Sequence, residues 1–178
     1  MKLLVVDTET SGLDVCTAEI LEIAVAQVDL DNGSAELLIN TLVRPKTPVC
    51  DLSGCWFLQH CGLPPADFEA APTLEYLKAD LQALFDAHPL TSYNTSFDIV
   101  LLTRHGLTRR HIWPCIMLAA KDVLKLHGKY DWKYPKLDEA WRYFYPGAAP
   151  DGEHRAGYDA LRAARVAYAL YKRGTWKS

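Results

Sequence analysis

The opening segment constrains this chain most. Leu3 to Val6 is a short unbroken apolar run, the pattern of a strand buried on both faces, and Asp7 and Glu9 follow it directly. Residues two apart on a strand point to the same face, so both carboxylates stand together at the edge of a core. There they repel each other and lose hydration. Two readings meet that cost. Either the strand has run out into solvent and Asp7 opens a polar turn, or a divalent cation holds the pair. Hard oxygen ligands of this kind suit Mg²⁺ or Mn²⁺.

The rest of the chain supplies a sheet for that strand. Ile20 to Asp29 alternates around Ile23, Val25 and Val28 and reads as a second strand. Asp31-Asn32-Gly33-Ser34 is a turn, and Glu36 to Val43 returns as a third strand of an antiparallel meander. Arg44 to Pro72, rich in Pro, Gly and Cys, reads as loop with short helical turns. Leu74, Leu77, Leu81, Leu84 and Phe85 share one face of a helix from Thr73, its cap, to Ala87. Leu90 to Tyr93 is a short strand. Phe97 to His105 reads as a helix that stops before Gly106. Cys115 to Leu126 mixes strand and helix spacing, and Leu137 to Phe144 is a helix. Tyr145 to Gly157 is a mobile Pro/Gly loop. A last helix from Tyr158 to Lys172 lines up Ala160, Ala164, Ala167 and Tyr171. Strands first, then strands alternating with helices, predict a single α/β domain over residues 1–178: a mixed sheet flanked by helices.

Two further groups of polar residues fall at element boundaries. Asn94-Thr95-Ser96-Phe97-Asp98 follows the short strand. It suits a helix cap, with Asn94 or Ser96 at the N-cap and Asp98 in the first turn, and it also sets a carboxylate where α/β sheets bind ligands. His154-Arg155-Ala156-Gly157-Tyr158-Asp159 places Asp159 near the start of the last helix and His154 on the loop before it. A loop histidine is ordinarily just solvated. Beside carboxylates and a metal it becomes a base able to take a proton from water.

Composition narrows the partners. The 178 residues are 49% hydrophobic and 23% charged, which excludes a disordered chain. No apolar run is long enough to span a bilayer, and the first carboxylate comes too early for a signal peptide, so a soluble, cytoplasmic protein is expected. Net charge is −3, so any grip on nucleic acid is local or metal-assisted. The five cysteines, at 16, 50, 55, 61 and 115, are irregularly spaced and read as free thiols rather than a disulfide framework. Cys50, Cys55, His60 and Cys61 lack the paired spacing of a zinc site.

Taken in order, Asp7-Thr8-Glu9-Thr10-Ser11-Gly12-Leu13, then Asn94 to Asp98, then His154 to Asp159, this sequence resembles the DEDD superfamily of 3′–5′ exonucleases over nearly its whole length. The histidine of the third group marks the DEDDh, DnaQ-like branch, which includes the proofreading subunit of bacterial DNA polymerase III and exonuclease X. The resemblance implies an RNase H-like fold, an antiparallel meander followed by parallel strands, and two divalent ions, Mg²⁺ or Mn²⁺. Asp7, Glu9, Asp98 and Asp159 match the family's metal ligands and His154 its general base. Glu22 has no such match. His60-Cys61-Gly62-Leu63-Pro64 resembles a segment that touches the nucleotide. Thr8, Thr10, Gly12, Leu13, Asn94 and Phe97 complete the substrate-binding set, with Leu13 pressed against the terminal base and Phe97 behind it or in the core.

Two metals about 3.5–4 Å apart are the usual solution to phosphodiester cleavage at neutral pH. The expected activity is therefore 3′–5′ hydrolysis of single-stranded DNA or frayed duplex ends to nucleoside 5′-monophosphates. Its alternatives are an exoribonuclease and a catalytically silent nucleic-acid-binding module. The expected partner is a single-stranded 3′ end, with no membrane. No tail past the last helix is available to dock a polymerase. Lys121, Lys125, Lys129, Lys133 and Lys136 interleave with Tyr130, Trp132 and Tyr134, which suits either a strand groove with stacking platforms or a loop whose aromatics pack on the body. Arg104, Arg109 and Arg110 read as a solvated basic face.

Overall fold

Strand β1 (Lys2–Thr10) runs through the middle of the sheet in the computed structural model, which describes residues 1–108, 110–147 and 154–177. It extends past the apolar run, so Asp7 and Glu9 lie within the strand. Its alternation sorts the core into two layers. Leu3 and Val5 pack toward the C-terminal helix, while Leu4 and Val6 pack toward the helices of the other face. By the same period Asp7 and Glu9 share the face of Leu3 and Val5, and Thr8 lies on the opposite one.

Strand β2 (Ile20–Asp29) pairs antiparallel with β1, and β3 (Ala35–Leu42) antiparallel with β2. The predicted turn closes them, with Gly33 at φ +81 and its N–H donating to the Asp29 carbonyl at 2.7 Å. Strand β4 (Leu90–Ser92) pairs parallel with β1, which gives the order β3-β2-β1-β4.

Past β4 the sheet continues only as a single parallel bridge, Leu90 to Ile112. The strand expected within 115–126 is absent. That segment is helix α5 (Ile116–Leu124), whose Ile116 and Ala120 are buried one turn apart. The strand-like pairing lies just before Pro114, where Trp113 N–H donates to Leu90 O at 2.9 Å.

The stretch from Arg44 to Pro72 folds into a 3₁₀ turn (Val49–Leu52) and two short helices, α1 (Trp56–His60) and α2 (Pro65–Ala70). Phe57, Phe68, Cys55 and Cys61 form a small core with Leu21. Helices α3 (Leu74–Ala87) and α4 (Asp98–Arg104) cover one face of the sheet. Thr73 caps α3 by accepting the Tyr76 N–H at 3.3 Å.

The other face carries α5, α6 (Leu137–Phe144) and α7 (Ala156–Lys172). Helix α7 begins two residues earlier than its periodicity predicts and lies close against the sheet, because Ala156, Ala160, Ala163, Ala164 and Ala167 present almost no side chain to it. At Gly157 a Cβ would come within 2.6 Å of Asn40 Oδ1 on β3, so a larger residue would have to displace the Asn40 side chain. Of the expected Tyr145–Gly157 loop, residues 148–153 lie outside the described residues.

Cys55, Cys61 and Cys115 are buried, Cys16 and Cys50 are exposed, and all five are free. No helix among the described residues is long and apolar enough to cross a membrane.

Candidate active site

Three carboxylates converge where β1 meets the first turn of α7. Asp7, Glu9 and Asp159 each present one oxygen within 4.8 Å of the others. The strand period brings Asp7 and Glu9 to the α7 face, and the small residues of α7 let its fourth residue, Asp159, reach them.

Asp98 approaches from α4. It is buried, and its Oδ1 accepts the Thr8 hydroxyl at 2.8 Å. Predicted substrate-binding Thr8 thus orients a carboxylate from the back of the strand. The expected helix cap is not formed: Phe97 occupies the N-cap without a side-chain bond, and Ser96 donates to Asn94 Oδ1 at 2.6 Å instead. Asp98 lies outside the tight triad, yet among the carboxylates its charge acts most strongly on Asp7.

The crowding shows in proton affinity. Burial, then repulsion from Asp98, Asp159, Glu9 and Glu22, pushes the Asp7 carboxyl well above the carboxylate range. Burial, then Asp159 and Glu22, pushes Glu9 up to about 8. Burial raises Asp98 to about 6 against the Thr8 hydrogen bond. Burial raises Asp159 to about 6, opposed by Arg162 and His154. Without a cation, four carboxyl groups compete to keep protons.

Glu22 is the residue that sequence reasoning missed. It sits opposite Glu9 in the β1–β2 register and is 1% exposed. Arg155 forks onto it, Nε at 3.0 Å from both oxygens and Nη2 at 2.8 Å from Oε1, and Ala156 N–H adds a bond at 3.2 Å. Its signal is legible: a lone acid inside Ile20-Leu21-Glu22-Ile23-Ala24-Val25 needs a partner. The pair fixes the start of α7, and with it the chain beside His154.

His154 stands exposed next to Arg155, close enough to Asp159 to stabilise its charge. Its ring meets Trp56 edge-on, with centroids 5.0 Å apart, and His60 stacks on the same indole at 4.4 Å. His60 Nδ1 lies 2.7 Å from Trp56 O. So His60 and His154, distant in sequence, meet through one half-exposed indole.

The remaining expected residues surround this group. Thr10 Oγ1 donates to Gly12 O at 2.7 Å, shaping the turn after β1, and Leu13 follows it 91% exposed. Asn94 and Phe97 are half-buried.

Elsewhere, Lys121 lies over the Tyr134 ring and Lys129 over Tyr130, which is 88% exposed. The aromatics of 126–134 therefore face solvent and do not pack on the body. Arg104 is exposed, and its Nη1 also binds the carbonyls of Val15 and Ala18, both at 2.9 Å. Arg110 pairs with Asp86 at 3.7 Å, and Arg109 lies outside the described residues. No zinc-type cluster of Cys and His forms among the described residues.

A divalent ion with oxygen ligands at about 2.0–2.6 Å demands ligand atoms that fit within the span seen here. The donors are all carboxylate, half-buried, and proton-hungry in its absence, so the residues fit a hard dication. The mixed sheet flanked by helices matches RNase H-like exonuclease folds. The chain belongs to the exonuclease (RNase T) family, whose model matches residues 4–167.

A search of the curated proteins gave no significant match. Among solved structures, the chain is similar to cell-death related nuclease 4 (CRN-4), with TM-score 0.71 and 14% identity over 97% of this chain and 64% of that one. It is similar to E. coli exonuclease I in complex with a dA16 oligonucleotide, with TM-score 0.70 and 16% identity over 97% and 41% of the two chains. It is also similar to the nuclease domain of 3′hExo, a DEDDh family member bound to rAMP, with TM-score 0.67 and 16% identity over 99% and 94%. The chain thus spans less than two thirds of the first two proteins and nearly all of the third, itself a domain.

Proposed function

We propose that this chain is a DEDDh-type, DnaQ-like 3′–5′ exonuclease that removes nucleoside 5′-monophosphates from single-stranded DNA or frayed duplex ends. The convergence of Asp7, Glu9 and Asp159 beside Asp98 and His154 supports this reading above all. Asp7, Glu9 and Asp159 would hold one Mg²⁺ or Mn²⁺, and Asp7 with Asp98 would share a second. Bound there, such ions supply charge stabilisation at the phosphate and at the leaving 3′ oxygen. His154, exposed beside Asp159, takes the proton of the attacking water. Leu13, standing free past the first motif, gives the terminal base an apolar contact. Arg155 offsets part of the charge that buried Glu22 adds to the site.

A second reading is 3′–5′ exoribonuclease activity, which the rAMP held by the 3′hExo nuclease domain favours. The test is a panel of end-labelled DNA and RNA, single- and double-stranded, with Mg²⁺ and with chelator. Mononucleotides released from 3′ ends only with the metal support the proposal, and the preferred sugar decides between the two readings. Tight binding without any cleavage in either metal would leave a silent binding module.

A further inference from the structure

On the α3/α4 side of the sheet, the face away from the carboxylates, a cavity of about 490 Å³ opens between the ends of β2 and β3, the first turn of α3 and the end of α4. Its floor is apolar, from Ile20 and Val43. Its rim is cationic, with Arg44, Lys46, Lys78 and Arg104 facing only two carboxylates, Glu19 and Glu75. In a chain of net charge −3, that surplus is local and not the average of the surface.

The two carboxylates offset part of the surplus and leave more cations than anions on the rim. Glu19 accepts the backbone N–H groups of Lys46 at 2.5 Å and Thr47 at 3.1 Å. Glu75 is engaged by Lys78 at 2.7 Å. Arg104 grips two neutral carbonyls, so its charge is undiminished. Arg44 donates to the Glu69 carbonyl at 3.3 Å, and neither it nor Lys46 forms an ion pair among the described residues.

His105 closes the end of the cavity. Its Nε2 is shut off from solvent and has no hydrogen-bond partner among the described residues. Burial, then Arg104, Lys46 and Lys78, hold its imidazole below the usual range, so three cations bear on one ring. An apolar floor and a cationic rim suit an anion with several acceptor oxygens.

We infer that this cavity is a second ligand site, distinct from the carboxylates, which binds a phosphate ester at Arg44 and Lys46, beside His105. The volume leaves room for a nucleoside beside the phosphate. Helix α4 carries Asp98 at its first residue and Arg104 at its last, about 9 Å apart along the axis. The phosphate therefore has two sources to distinguish: the substrate strand or its complement a few nucleotides from the cut, or a free nucleoside monophosphate like the product. That choice rests on the exonuclease reading. The binding itself does not.

The experiment titrates inorganic phosphate, dAMP and a single strand of about a dozen nucleotides into the full chain with chelator present, following the histidine ring signals by NMR. His105→Gln assigns the reporter. Arg44 and Lys46 are exposed, so the double variant Arg44→Ala/Lys46→Ala removes charge without opening the core. Phosphate and dAMP should shift the His105 signals saturably, and the double variant should weaken that binding about tenfold or more. A strand that saturates the shift well below dAMP marks strand phosphate as the ligand, and equal or weaker response marks the free nucleotide. No shift with any of the three, or a shift unchanged in the double variant, overturns the inference. Because the readout needs neither metal nor turnover, that failure is separate from a failure of the nuclease reading.

Discussion

Replacing Glu9 by glutamine removes one charge from the carboxylate cluster and keeps its shape. The folded carboxyl titrates near 8 and its ordinary value is 4.5. Below 4.5 it is protonated in both the folded and unfolded chain, and the substitution is silent. Between the two values the unfolded chain sheds the proton and the folded one keeps it. Wild-type stability therefore falls as pH rises to about 8 and then levels off. A shift of this size sets a ceiling of about 5 kcal/mol, at about 1.4 kcal/mol per pKa unit. Repulsion is shared with Asp159 and Asp7, so about half of that, roughly 2–3 kcal/mol, belongs to Glu9 alone. For a chain of this length that is a melting shift of about 5–10 °C. The assay is thermal unfolding of wild type and Glu9→Gln across pH, with chelator and with Mn²⁺. With chelator the variant should melt higher at pH 8.5 and equally at pH 4. With Mn²⁺ the gap should close or reverse, because the wild type binds the ion better. Equal melting with chelator at pH 8.5 would refute the reasoning, since Glu9 would then not be facing the other carboxylates.

Other consequences follow from the same geometry. Asp98→Ala should cut turnover by several orders of magnitude with the fold retained, checked by single-turnover cleavage and circular dichroism. Thr8→Val, which only frees Asp98 to turn, should cost about 10–100-fold in activity or metal affinity. His154→Ala should lower the rate about a hundredfold or more with little change in affinity for a non-cleavable strand, and a variant that loses binding and not rate would make His154 a positioning residue. Arg155→Ala strands the buried Glu22 charge and should destabilise by about 3 kcal/mol, while adding Glu22→Gln should restore much of it, as denaturant titration will show. A 3′-phosphate on the substrate should slow digestion strongly if the terminus enters the site first, and rapid cutting of a circular strand would contradict that polarity.

Much of this site is legible in the sequence because its residues break local rules. Asp7 and Glu9 extend an apolar strand with charge, and the two-residue period alone puts them on one face. Asp159 can be placed only by its motif, since nothing local says which strand α7 will cover. Glu22 breaks the same rule as Asp7, but its partner lies 133 positions away, and no local signal pairs Arg155 with it. The helix cap expected from Asn94 or Ser96 is not formed because those two side chains bond each other, while Asp98 takes its expected place in the first turn. The strand expected within 115–126 fails because mixed apolar spacing does not separate a buried helix from a strand. The Arg104 side chain is exposed as its sequence suggests, but its acceptors are backbone carbonyls, which leave no trace in side-chain sequence.

The Glu22–Arg155 pair does two things that a neutral pair could not do together. Glu22 sits across from Glu9 on the rigid sheet, and Arg155 heads the helix that brings Asp159. Their fork holds the first turn of α7 over the sheet, where Asp159 reaches Asp7 and Glu9. That is the mechanical part. Arg155 also lowers the Glu9 pKa while Glu22 raises it more, so the arginine offsets part of the charge that Glu22 adds to the cluster. An apolar replacement would keep the packing and lose the fork that sets the angle of α7. An acid alone would add a fifth charge to a site already crowded with four. An arginine alone would compete with a divalent ion for Glu9. Only the paired form positions the second half of the site while leaving the carboxylates unsatisfied, and that residual demand is what a dication can answer.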